Sequence, residues 1–90
     1  MPRVTFTSHL QGHVACPPTS VAPGQDVRAA LDHIFQQYPP LRGYILDDQS
    51  RLRQHIAVFV DNQPLHDRVR LSDPVSEQTE IYVMQALSGG

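Results

Sequence analysis

Ninety residues leave room for one domain around one core, since a chain this short buries only about 60–65% of its unfolded surface. A net charge of −2 gives no electrostatic footprint for nucleic acid or an anionic membrane, and no apolar run approaches membrane-spanning length. A single cysteine excludes an internal disulfide, and with no apolar leader in Met1–Phe6 the expected setting is cytoplasmic.

From the N-terminus, Val4 and Phe6 alternate with Thr5 and Thr7, which predicts a half-buried strand over residues 3–9. Residues 10–18 read as a connection, with Pro17-Pro18 unable to donate to a ladder. Thr19–Ala22 is a short second strand, paired antiparallel to the first and stopped by Pro23-Gly24. Asp26 then reads as an N-cap whose carboxylate accepts from the free amides of a first helical turn. Behind it Val27, Ala30, Leu31, Ile34, Phe35 and Tyr38 form one apolar stripe at helical spacing, with Arg28, Asp32, Gln36 and Gln37 on the other side. Pro39-Pro40 ends that helix, because the residue before a proline avoids the helical region.

Residues 41–52 read as a long link in which Leu41, Ile45 and Leu46 close one end of the core and Asp47–Ser50 turn. His55–Val60 is a strand with Ile56, Val58 and Val60 inward. Asp61–Pro64 is a turn or short strand, Leu65 packs back, and residues 68–78 make a polar excursion pinned by Val69, Leu71 and Val75. Residues 80–86 form the closing strand; if it lies beside the first, the C-terminus leaves from the middle of the sheet. The order argues for an α+β fold, a mixed sheet of four to five strands with one main helix on one face.

With one face covered, residues of opposite parity lie on the other. Phe59, Tyr82 and Met84 are therefore grouped on the open side near the base of the C-terminus, a candidate docking surface that Leu87 extends. Beyond residue 86 the chain ends Leu87-Ser88-Gly89-Gly90, a tail separate from the domain spanning residues 1–86. Those last four residues can reach roughly 13 Å when extended. Gly89 and Gly90 carry no Cβ, so they fit channels closed to other residues, and the tip is an ionised carboxylate that an enzyme can activate. All seven basic residues are arginine, so an activated acyl group at Gly90 meets no lysine amine on its own chain.

Other candidates weigh less. Cys16 has no activating base or cationic cluster in its proline-rich surroundings. The five histidines are scattered; His9 and His13 can approach across a turn, but a zinc site needs a fuller ligand set, so no metal is expected. No nucleophile–base–orienter set and no glycine-rich phosphate loop is visible, which argues against an enzyme.

Val4–Thr7, Gly24-Gln25-Asp26-Val27 with Ala30-Leu31, Ile56–Asn62, and Ile81-Tyr82-Val83 leading to Gly89-Gly90 together resemble the ubiquitin-like sulfur carriers of the ThiS/MoaD type. The resemblance covers essentially the whole chain and implies the β-grasp fold. It also implies a cycle at Gly90: a ubiquitin-activating-like adenylyltransferase uses MgATP to form an acyl adenylate, and a sulfur donor then converts it to a thiocarboxylate. That sulfur is delivered to a sulfur-accepting biosynthetic enzyme, as in amino acid or cofactor synthesis, with no tightly bound cofactor on the carrier. Residues 41–55 are longer than in compact molybdopterin-synthase small subunits, which favours the branch serving small-metabolite synthesis. The alternatives are the small subunit of molybdopterin synthase, a ubiquitin-like protein modifier, and a plain β-grasp interaction module.

Overall fold

Alternating apolar residues in the first and last strands give each strand one face that must be buried, and the two strands lie side by side to do so. The structure is a computed structural model, and it describes residues 1–85. In chain order the elements are β1 (Arg3–Phe6), α1 (Ser8–Gln11), β2 (Thr19–Val21), α2 (Val27–Gln37), α3 (Pro39–Ile45), β3 (Ile56–Val60), β4 (Gln63–Pro64) and β5 (Glu80–Gln85). The five strands form one mixed sheet in the order β2-β1-β5-β3-β4. β1 and β5 are parallel, with Val4 opposite Ile81 and Phe6 opposite Val83, while the other three pairings are antiparallel. The expected α+β architecture is the observed one, and the first and last strands do lie side by side, which puts β5 at the centre.

Val4, Phe6, Ile56, Val58, Ile81 and Val83 point to one side of the sheet and are buried against Val27, Ala30, Leu31, Ile34 and Phe35 of α2. Each fully buried aliphatic side chain contributes about 1.5–3 kcal/mol, so this stripe is what holds α2 to the sheet. The helix begins where the Asp26 carboxylate accepts from the Ala29 amide at 2.8 Å. The first two amides are met from elsewhere: Val27 donates to the Asp73 carbonyl and Arg28 to that of Leu71. Ala30 donates to the Asp26 carbonyl as the first bond of the helix proper, so the three open amides of the first turn, those of Val27, Arg28 and Ala29, are all satisfied. The 68–78 excursion is thus anchored on the start of α2. Its pins are Leu71, fully buried, and Val75, half-buried; Val69 is 58% exposed and pins nothing, contrary to its apolar character.

Two segments differ from the sequence-based expectation, and a third settles an alternative left open there. Residues 8–11 form a helical turn, α1, where a strand and loop were expected; Leu10 drops into the core from it. Pro39-Pro40 does end α2, but it also starts α3, because proline's missing amide costs nothing in a first turn. Much of the expected link is therefore helix, with Leu41 and Ile45 buried, and Leu46 just after it closing the core as expected. Gln63–Pro64 pairs with β3 through a two-residue turn in which Asp61 and Asn62 have φ of 49° and 69°. Those values suit a tight hairpin, and Pro64 is tolerated because β4 is an edge.

Candidate functional site

β5 carries the chain to its C-terminus from the middle of the sheet, hydrogen-bonded on both sides. Its register sets the open face: Tyr82 lies opposite Phe59 on β3 and opposite Thr5 on β1, and Met84 lies opposite Ala57. Side chains directly across a ladder touch, so Phe59 and Tyr82 form one patch and Met84 with Ala57 the next toward the end of β5. All four are half-exposed and lie outside the buried cluster. The structure thus groups Phe59, Tyr82 and Met84 as period-two alternation predicts. Leu87, Gly89 and Gly90 lie outside the described residues.

At the end of β5, Gln85 pairs with Ile56, and its side-chain oxygen accepts from the Tyr44 hydroxyl at 2.6 Å. Tyr44 belongs to α3 and packs against the core. Its ring stacks on His13 with centroids 6.2 Å apart and meets His55 edge-on at 5.3 Å. His13 in turn meets His9 edge-on at 4.9 Å, so the approach expected for that pair occurs and extends into a row of four rings. Beside the row, Asp47, Arg51, Leu52, Arg53, Gln54, His55, Arg68 and Val69 line an open hollow of about 550 Å³. Sequence reasoning did not find the row, because its members are separated by up to 46 positions and come from α1, the turn after it, α3 and the approach to β3. The only local signal is the four-residue spacing of His9 and His13.

Among the described residues no group of three or more His, Cys, Asp or Glu is arranged to hold a metal ion. Burial pushes the Cys16 thiol above its ordinary value, which lowers the fraction present as nucleophilic thiolate. No helix among the described residues is long and apolar enough to cross a membrane.

The sequence resemblance rested on the order of the opening strand, the helix entry at Gly24–Val27, the Ile56–Asn62 strand and the closing strand leading to Gly89-Gly90, and the family comparison decides the matter. The ThiS family model matches residues 17–90. The chain belongs to the ThiS family. Solved structures of similar shape include CysO from Amycolatopsis orientalis, seen in a BexX/CysO complex, at 18% identity, TM-score 0.82 and full coverage of both chains. SAMP1 from Haloferax volcanii aligns at 22% identity and TM-score 0.77, over 99% of this chain and 98% of that one. CysO from Mycobacterium tuberculosis aligns at 15% identity and TM-score 0.80, over 97% and 100%. These likenesses establish the ubiquitin-like β-grasp fold for this member of the ThiS family. A comparison with curated proteins gives no match.

Proposed function

We propose that this protein is a sulfur carrier whose reactive group is the C-terminal carboxylate of Gly90. The carboxylate oxygen attacks the α-phosphorus of MgATP in the site of a ubiquitin-activating-like adenylyltransferase, forming a P–O bond as pyrophosphate leaves. A sulfide-level donor then attacks the acyl carbon and AMP departs, leaving a thiocarboxylate. That sulfur is a soft nucleophile, which a biosynthetic enzyme directs at its substrate. The carrier itself lowers no barrier; it brings the sulfur into a closed site at high effective concentration.

One observation carries this reading in a ThiS-family chain. β5 is the central strand, fixed by β1 and β3, and a stiff base suits a tail that is to be presented to another protein's active site. Phe59, Tyr82 and Met84, on the open face of that strand and its neighbour, are the side chains we assign to docking, together with Leu87, which lies outside the described residues. CysO is seen in complex with BexX, which supports a carrier that works bound to another protein.

Incubation with the cognate adenylyltransferase, MgATP and a sulfide source, followed by intact-mass measurement, tests the proposal. Exchange of one terminal oxygen for sulfur, a gain of about 16 Da, is expected. An unchanged mass with an active enzyme would falsify it. A second reading, conjugation to other proteins, is favoured by the likeness to a structure described as a small archaeal modifier protein. It predicts a ladder of larger conjugates in cell lysate that disappears when Gly89 and Gly90 are deleted.

A further inference from the structure

The end of the sheet from which the tail departs carries groups that sulfur carriage by itself does not use. α1 follows the C-terminal end of β1, which runs parallel to β5, and His55 precedes β3, which runs antiparallel to it. His9, His13 and His55 therefore gather where β5 stops, with Tyr44 between them and hydrogen-bonded to Gln85. His9 and His13 are exposed while Tyr44 and His55 are half-buried, so the row is a surface rather than a piece of core. Rings braced against one another have few rotors to freeze on binding, which is what makes aromatic residues effective contact groups.

The arginines beside the row are held by neutral partners. Arg53 Nε donates to the Gly43 carbonyl at 2.9 Å, and Arg68 Nη2 donates to the carbonyls of Arg53 and Ile56 at 2.8 and 2.9 Å. Such bonds fix a guanidinium without cancelling its charge. Only Arg51 is paired, with Asp47 at 3.1 Å; Asp47 lines the hollow and Asp48 lies with Arg51 and Arg53 in the adjoining one, so three arginines outnumber two carboxylates here. No acidic residue precedes Asp26, so α1 and its flanks have none. At the opposite end of the sheet, where β5 begins, the balance reverses: Glu77, Glu80 and Asp61, whose carboxylate accepts from the Glu80 amide, outnumber Arg3 and the Met1 amine.

We propose that His9, His13, Tyr44, His55, Arg53 and Arg68 form a docking collar for an acidic protein surface, namely the carboxylate-bearing rim of the enzyme channel that receives the C-terminal glycines. This rests on the sulfur-carrier reading, which requires such a channel. Charge complementarity of this kind orients the encounter and rejects partners of the wrong sign. A protein rim fits better than a small anion because the groups spread along a row of four rings into an open hollow and do not converge on a point.

Two arms test it. In the first, adenylation by the cognate enzyme is followed as ATP–pyrophosphate exchange against carrier concentration, for the parent, the double variant His9→Ala/His13→Ala, and Arg53→Glu. Each variant is expected to raise KM for the carrier about tenfold or more, with kcat unchanged at saturation and, for Arg53→Glu, a weaker dependence on salt. Unchanged KM in variants that melt like the parent overturns the collar. Should Arg53→Glu fail to fold, Arg53→Gln replaces it with the same expectations. The second arm needs no enzyme. A deca-glutamate peptide titrated into 15N-labelled protein is expected to shift the signals of His9, His13, Arg53 and His55 and leave those of Glu77 and Glu80 in place. No shift, or an equal shift with inorganic phosphate at matched charge, overturns the proposal. If the parent supports no exchange with an enzyme shown to be active, the sulfur-carrier reading fails and the channel rim with it, while the peptide arm still decides whether this patch takes an acidic chain.

Discussion

Gly24 lies two residues before the Asp26 cap, and a Cβ there would sit 2.6 Å from the Ala30 amide nitrogen and 3.1 Å from the Ala29 carbonyl carbon. Both are backbone atoms of a helix pinned to the sheet, so neither can swing aside. Gly24→Ala is therefore expected to cost about 1–3 kcal/mol, seen as a lower urea midpoint with an unchanged slope. Two aspartates matter differently. The Arg51 amide, with help from the Gln49 amide and the Arg51 charge, holds the Asp47 carboxyl below the ordinary range. The Arg70 amide and the Ser72 hydroxyl do the same for Asp67. Because the folded values are depressed, this stabilisation is fully present above the unfolded carboxylate pKa of about 3.9 and is lost as pH falls through the lower folded values. Urea midpoints are expected to hold from pH 7 to 5 and to drop below about pH 4, with a shallower drop in Asp47→Asn/Asp67→Asn.

At the scale of elements, α2 is the test case. Leu31 is 1% exposed at the centre of its stripe, and Leu31→Ala is expected to cost about 2–5 kcal/mol by chemical denaturation, since a packed sheet and helix collapse poorly into the space left. The stripe, the cap and both long strands were legible in the sequence because each repeats its apolar period long enough to be counted. α1 was not, since four residues, Ser8-His9-Leu10-Gln11, hold barely one period. α3 was hidden by Pro39-Pro40, which signals an end and a beginning with the same residues. The site divided along the same line. Phe59, Tyr82 and Met84 follow from strand parity, whereas the ring row exists only once α1, α3 and the approach to β3 have been brought together. Val69 misled because an apolar residue in a polar segment need not be buried: the anchor there is Leu71, which takes up φ of 54° to reach the core.

For the whole molecule, the proposed division of labour sets fold and chemistry apart. One alanine added after Gly90 is expected to abolish adenylation while leaving the melting temperature within about 1 °C, since only the tip is changed and the core is untouched. A large loss of stability would contradict the separation. The topology has one more consequence. β1 with β2, and β3 with β4, are two ribbons that share no ladder; β5 alone bonds to both, and it is supplied by residues 80–85, the latest of the described strands. During synthesis the sheet thus lacks its middle until the segment leading into the glycines has been made. A chain broken off before that point is two loose ribbons with nothing to offer a partner. The placement of one strand thereby ties completion of the domain to synthesis of the segment that leads into its C-terminus.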